Sequence, residues 1–116
     1  MDKDQSLAFV RDVVNVLASR LDEPDRSQVL RDIANATIER ASVDGARFVF
    51  HLADYTRPPY RGQRAFPVEG VTKDVDGVDV TVTMYCDQNR RLLELEILRW
   101  AEDDLMSPDW SALTVY

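Results

Sequence analysis

Three arginines alternate with aromatic residues in one short stretch of the chain, residues 55–66. The arginines are Arg57, Arg61 and Arg64, and the aromatic residues are Tyr55, Tyr60 and Phe66. Guanidinium groups bind carboxylates and phosphates through paired hydrogen bonds, and arginines beside aromatic rings are also typical of protein-binding hot spots. The stretch is therefore a candidate for binding an anion or a protein. The alternative is a structural strap whose arginines pair with Glu69, Glu94 or Glu96.

Two carboxylates, Glu94 and Glu96, stand two residues apart in a segment with strand character. Side chains at this spacing leave a strand on the same face, so we expect both on one surface. Paired carboxylates can transfer protons or bind a cation. The alternative is a solvent-facing pair that forms salt bridges with Arg91, Arg99 or the arginines of the 55–66 stretch.

The other residue types with reactive side chains are scarce, since the chain has one histidine, His51, and one cysteine, Cys86. Together they are too few for a zinc site of the usual type. The sequence contains no P-loop, no glycine-rich dinucleotide motif, no nucleophile elbow and no metalloprotease helix motif. We therefore predict no metal, no cofactor and no catalytic residue, and we expect Cys86 to be a buried, unreactive thiol.

Two helices are predicted in the first part of the chain, over about 5–21 and 24–41, because apolar residues recur there every three or four positions. The first stripe consists of Leu7, Val10, Val14, Leu17 and Leu21. The short joint at Asp22–Asp25 favours a helical hairpin within residues 1–42.

Strands are predicted in the second part, residues 46–116. Val43-Asp44-Gly45 predicts a turn, after which apolar residues alternate with polar ones. The predicted strands cover 46–53, 68–74, 78–86 and 91–100, and 113–116 is a candidate edge strand. Asp76-Gly77 predicts a hairpin turn between the second and third of these strands. In the last long strand we expect Leu93 on the core side and Leu92 on the side of Glu94. Prolines and glycine predict an irregular connection over 54–67.

These elements predict a single α+β domain over residues 1–116. The helical hairpin would pack on one face of an antiparallel β-meander of about four strands, since neither layer can bury its apolar side alone.

The strand half also resembles a family of small uncharacterised bacterial proteins. The resemblance lies in Arg57–Gln63, Phe66–Gly70, Asp76-Gly77, Arg91–Trp100 and Ser107–Trp110. It implies a bacterial origin and brings no known activity or catalytic residue. In size and acidity the chain is also similar, more loosely, to immunity proteins that block toxins.

Composition narrows the function classes. The chain has 116 residues and a net charge of −7, while residues 55–68 carry three arginines and no acid. A negative surface opposes binding to nucleic acid and suits a basic protein partner. Apolar runs are too short for a membrane span, and the N-terminal residues lack a signal-peptide pattern, so we expect a cytoplasmic protein without membrane contact.

Three functions follow as hypotheses. The first is a non-enzymatic protein-binding module, such as an immunity or accessory protein, that masks a basic partner with Glu94 and Glu96. The second is an anion-binding protein or enzyme that uses Arg57, Arg61 and Arg64 beside these two glutamates. The third is a structural homodimer that pairs through its C-terminal edge strand.

Overall fold

The structure is a computed structural model that describes residues 3–42 and 46–116. The predicted turn at residues 43–45 lies outside the described residues. In chain order the elements are α1 Lys3–Ala18, α2 Asp25–Ala34, β1 Ala36–Arg40, β2 Arg47–Leu52, β3 Arg64–Lys73, β4 Asp79–Cys86, β5 Leu92–Arg99, a 3-10 turn Trp110–Ala112, and β6 Thr114–Val115. Neither helix is long and apolar enough to cross a membrane within these described ranges.

Both helices pack on the same face of one antiparallel sheet, so the predicted α+β class is confirmed. In the apolar stripe of α1, Val10, Val14 and Leu17 are fully buried, as their spacing predicts, and Leu7 is partly buried. Gly70 in β3 allows this close approach, because a Cβ atom there would lie 2.9 Å from Leu113 Cδ1 and 3.2 Å from Leu17 Cδ2. The core lies between the helices and this sheet face.

The predicted second helix is wrong beyond Ala34, because residues 36–40 form a strand. This strand, β1, pairs with β2, and Ile38 lies opposite Phe50. Residues 36 and 40 satisfy the helical period that the prediction followed, but residues 36, 38 and 40 satisfy a two-residue period, and the β-branched Thr37 and Ile38 favour a strand. The free edge of β2 favours a strand over a helix at residues 36–40, because its backbone groups need hydrogen-bond partners that a helix would not supply.

The sheet has six strands rather than about four, in the order β1-β2-β5-β4-β3-β6. Strands β3, β4 and β5 form the expected meander, but β2 lies beside β5 instead of beside β3. The connection from β2 to β3, residues 53–63, must therefore pass the ends of β5 and β4, a distance of about 14 Å at ordinary strand spacing. We call residues 53–63 the crossover segment.

The crossover segment ends earlier than predicted, because β3 already begins at Arg64. Pro67, taken as a sign of irregular structure, lies inside β3 at a shift in register between Ala65 and Glu69. A strand tolerates proline at such a shift, since the missing N–H interrupts no regular pairing.

A second shift in register changes the predicted faces of β5. Tyr85 is paired with Glu94, while the next residue, Cys86, is paired with Leu92, so Leu93 is an extra residue. Leu92 therefore faces the core with no accessible surface, and Leu93 is only half-buried, opposite to the prediction. Beyond the bulge the alternation holds, and it leaves Glu94 on the sheet face opposite the helices. We call that side the outer face.

Candidate functional site

The first half of the crossover segment is anchored through Arg57. Its Nη2 donates hydrogen bonds to the backbone oxygens of Phe50, at 2.7 Å, and Leu92, at 2.6 Å. The pairing of β2 with β5 ends at Val49 and Glu94, so these two carbonyls lie just beyond the ladder and need other donors. Arg57 supplies both donors and thereby holds the crossover segment to the end of the sheet.

Asp87, at the start of the turn between β4 and β5, is the acid to which this half is attached. Arg57 Nη1 and the Tyr55 hydroxyl both donate to Asp87 Oδ2, at 2.9 and 2.6 Å. Its Oδ1 accepts from the backbone N–H groups of Asn89 and Arg91, at 2.8 and 3.1 Å. Burial opposes ionisation of Asp87, but these donors outweigh burial and lower the pKa of its carboxyl group.

The predicted strap is thus present for Arg57, but its acidic partner is Asp87 and not Glu69, Glu94 or Glu96. Arg91 strengthens the anchor. Its guanidinium lies 4.4 Å from the centre of the Tyr55 ring and donates to both carboxylate oxygens of the buried Asp32. Three of the five N–H donors of Arg57 are thus used within the protein, and we assign it a structural role.

The second half of the crossover segment is exposed and lines a cavity of about 340 Å³. We call this cavity the arginine pocket, and its walls are Arg61, Gly62, Gln63, Arg64, Cys86, Asp87, Gln88 and Arg90. Within residues 3–42 and 46–116, the side chains of Arg61 and Arg64 form no ion pair and no hydrogen bond. Arg90 forms a two-point ion pair with Asp25, in which its Nε donates at 2.9 Å.

The fold explains why these arginines meet. Arg64 is the first residue of β3 and lies opposite Cys86, the last residue of β4, because the two strands are antiparallel. Arg90 follows in the turn after β4, with a φ of 59°. Gly62 has a φ of 96°, a left-handed conformation that glycine adopts without strain, and this turn carries Arg61 to the same end of the sheet.

Cys86 lies at the base of the pocket and is buried, as predicted. Burial raises the pKa of its thiol, and the nearby positive charges of Arg90 and Arg64 offset only part of that effect. The thiol is therefore neutral at pH 7 and acts as part of the apolar core.

A second, smaller cavity adjoins the arginine pocket. It has a volume of about 150 Å³, and we call it the proline cleft. Its own walls are Pro58, Pro59, Tyr60 and Leu93 with the edge of Arg57, and it shares Arg61, Gly62, Asp87 and Gln88 with the arginine pocket. The two cavities are therefore neighbours on either side of the same short turn.

The family of the chain can be stated at this point. The family model described as "Domain of unknown function (DUF6984)" matches residues 11–108. The chain belongs to this family. No curated protein and no solved structure matches the chain. The match confirms the resemblance to a family of uncharacterised proteins, and it reaches back into α1, whereas the resemblance covered only the strand half.

In this DUF6984 domain, the two predicted glutamates lie on the outer face. Arg47 joins them, with its Nη2 at 3.0 Å from Glu96 Oε2 and its Nε at 3.7 Å from Glu94 Oε1. Arg47 takes the place of the predicted partners Arg91 and Arg99, because β2 and not β3 lies beside β5. The Tyr85 hydroxyl donates to Glu96 Oε1 at 3.2 Å.

Glu94 is the less accessible of the pair, with 8% of its surface exposed. Among the buried side-chain atoms of the described residues, its Oε1 is the one without a hydrogen-bond partner. Burial raises the pKa of Glu94, and the charge of Arg47 opposes this only in part. Neither glutamate lines the arginine pocket or the proline cleft, so the structure separates the predicted arginines from the predicted acids.

Sequence reasoning missed several residues of the DUF6984 pocket region, among them Arg90 and Leu93. Arg90 lies between two predicted strands, and its distance of 26 positions from Arg64 in the sequence hides their proximity. A prediction of the register between β3 and β4 would have shown that Arg64 and Arg90 lie close together. Leu93 was assigned to the core, and only the bulge brings it to the proline cleft.

Proposed function

We propose that this DUF6984 protein binds a small anionic ligand, bearing a phosphate or carboxylate group, in the arginine pocket. One observation carries the proposal. Arg61 and Arg64 bring two positive charges to the walls of a cavity of about 340 Å³, and no acid among the described residues forms an ion pair with either of them.

The chemistry of the walls suits an oxyanion. Each guanidinium can donate two parallel hydrogen bonds to a carboxylate or phosphate, and such charge-assisted bonds are stronger than neutral ones. The side-chain amide of Gln88 adds a neutral donor at the same cavity. The one acid in the walls, Asp87, is already neutralised by Arg57. The net charge that the pocket offers a ligand is therefore positive.

Binding without catalysis fits this arrangement better than an enzyme does. A hydrolytic or transfer reaction needs a nucleophile or a general base close to the bound group. Asp87 already accepts four hydrogen bonds from the protein, and the thiol of Cys86 is neutral and buried. Glu94 and Glu96 lie on another surface of the sheet.

The hypothesis of a protein that masks a basic partner receives less support from the geometry. Glu94 has little accessible surface, and Glu96 already pairs with Arg47 and Tyr85. A docking surface needs acidic groups that can reach the partner. An immunity or accessory role, and pairing of two copies through β6, stay predictions.

Titration with inorganic phosphate, followed by the NMR signals of the backbone and of the arginine Nε–H groups, tests the proposal. We expect saturable shifts at Gly62, Arg64 and Arg90. The Arg61→Gln/Arg64→Gln double variant should bind at least about tenfold more weakly, because it removes charge-assisted hydrogen bonds.

The control is Arg20→Gln, which removes an exposed arginine outside the pocket and should change the affinity less than about twofold, as expected for a distant exposed charge. A thermal melt of each variant checks that it remains folded. If phosphate, sulfate and acetate all fail to shift the pocket signals, or if the control weakens binding as much as the double variant, the proposal is wrong.

A further inference from the structure

The proline cleft is placed where it could hold the remainder of a ligand bound in the arginine pocket. Arg61, Gly62, Asp87 and Gln88 form the wall between the two cavities. A molecule whose anionic group contacts Arg61 can therefore extend over the turn at Gly62 into the cleft without leaving the protein surface.

The chemistry of the cleft is opposite to that of the pocket. Pro58, Pro59 and the isobutyl group of Leu93 present hydrocarbon, and Tyr60, a residue that is 76% exposed, presents an aromatic ring. Arg57, at the edge of the cleft, has its charge directed to Asp87 and to two backbone carbonyls. A group that enters the cleft is therefore required to be apolar, and a flat ring can stack against proline and tyrosine.

The size of the cleft is specific as well. An apolar cavity of about 150 Å³ accommodates one benzene molecule, and the proline cleft has a volume of about 150 Å³. It would hold one six-membered ring, whereas a two-ring system would extend into solvent.

The cleft is also held in shape before any ligand binds. The φ angles of Pro58 and Pro59 are restricted by their rings, and the residue before them, Arg57, is fixed by three hydrogen bonds. A wall that is already ordered loses little conformational entropy on binding, which favours affinity for a small ligand.

We infer that the ligand of the arginine pocket is an aryl oxyanion. Its phosphate or carboxylate group would contact Arg61 and Arg64, and a single aromatic ring next to that group would lie in the proline cleft. This inference rests on the proposed function, since it names the class of ligand for the same pocket.

A comparison of phenyl phosphate with methyl phosphate tests the ring. The two probes carry the same phosphate monoester group and differ in the ring alone. We expect phenyl phosphate to bind the wild-type protein at least about tenfold more tightly, because the ring buries apolar surface in the cleft. Calorimetry or NMR titration measures both affinities.

Two variants locate the effect. Tyr60→Ala and Leu93→Ala should each reduce the affinity for phenyl phosphate severalfold and leave that for methyl phosphate unchanged. Leu98→Ala, which removes a similar half-exposed leucine from the outer face, is the matched control and should change neither. Tyr60 is so exposed that its replacement should leave the fold intact, even if Leu93→Ala lowers stability.

The outcomes separate this inference from the proposed function. If phenyl and methyl phosphate bind equally well, or if Tyr60→Ala and Leu93→Ala leave their affinities unchanged, the aryl assignment is wrong while anion binding stands. If neither ester binds and inorganic phosphate does not bind either, the arginine pocket is not an anion site and both proposals are wrong.

Discussion

Each half of the crossover segment contains one tyrosine and one arginine, but the two halves have opposite surroundings. Tyr55 and Arg57 in the first half are held by Asp87, and Arg57 also reaches the backbone oxygens at the end of the β2–β5 ladder. Tyr60 and Arg61 in the second half are exposed, and Arg61 forms no ion pair with any residue that the structure describes. An arginine beside a tyrosine is thus compatible with a strap and with a binding site.

The two halves differ in the hydrogen-bond acceptors that lie beside them in the fold. The first half crosses a place where the ladder stops and leaves buried carbonyls without partners, and these must be satisfied by another donor. The second half passes the start of β3, where the neighbouring residues are arginines and glutamines. The same type of side chain therefore stabilises the fold in one half and remains available to a ligand in the other.

The most severe test of this comparison is Asp87→Ala. The substitution leaves the guanidinium of Arg57 without its acid and removes the acceptor of two turn N–H groups. We expect a loss of about 3 kcal/mol in the free energy of unfolding, since breaking a buried ion pair costs at least that much. Urea denaturation measures it. Asp79→Ala, whose exposed carboxylate pairs with Lys73, should cost less than about 1 kcal/mol.

A matched pair of arginine variants addresses the comparison directly. Arg57→Ala should lower the free energy of unfolding by about 2 kcal/mol, because two carbonyls lose their donors. Arg61→Ala should change it by less than about 0.5 kcal/mol, as expected for an exposed side chain without partners. Equal effects of the two substitutions in denaturation experiments would contradict the division of the crossover segment into anchor and site.

Acidification should protonate Asp87 and remove its contribution to the free energy of unfolding. The pKa of Asp87 is lowered by folding from its ordinary value of 3.8, so its ionised form stabilises the folded state. That contribution is complete above about pH 5 and is lost as the pH falls through the lower, folded-state pKa. The stability difference between the wild type and Asp87→Ala should therefore narrow between pH 5 and roughly pH 2. A constant difference over that range would show that Asp87 is not the titrating anchor.

Glu94 and Asp87 differ in the same way as the two arginines, because one acid has more hydrogen-bond donors beside it than the other. The expected change in the free energy of unfolding is smaller for Glu94. Asp87 has four donors, whereas Glu94 Oε1 has none among the described residues. Folding raises the pKa of Glu94 from 4.5, so its ionised form is disfavoured in the folded state above that pH. Glu94→Gln should raise the free energy of unfolding by up to about 1 kcal/mol at pH 7 and should lose this advantage near pH 4. Destabilisation at pH 7 would indicate that the pair with Arg47 outweighs burial.

Patterns short enough to lie within one element were predictable. The stripe of α1, the strand at residues 46–53 and the hairpin at Asp76-Gly77 each depend on neighbours a few positions apart. Period and turn chemistry encode such features locally. The prediction extended α2 into β1 because Ala36 and Arg40, four positions apart, fit both the helical period and the two-residue period. It misassigned Leu92 and Leu93 because a bulge depends on the partner strand.

The sequence by itself determined the α+β class, the alternation that keeps Glu94 and Glu96 on one face, and the presence of an arginine-rich connection. Only the tertiary structure decided which arginines are free, because β2 pairs with β5 and not with β3. That pairing brings Arg57 onto Asp87, gives Arg47 to the two glutamates, and places Arg61 and Arg64 beside Arg90. These contacts join residues far apart in the chain, and their energies depend on burial and on competing acceptors that no local pattern records.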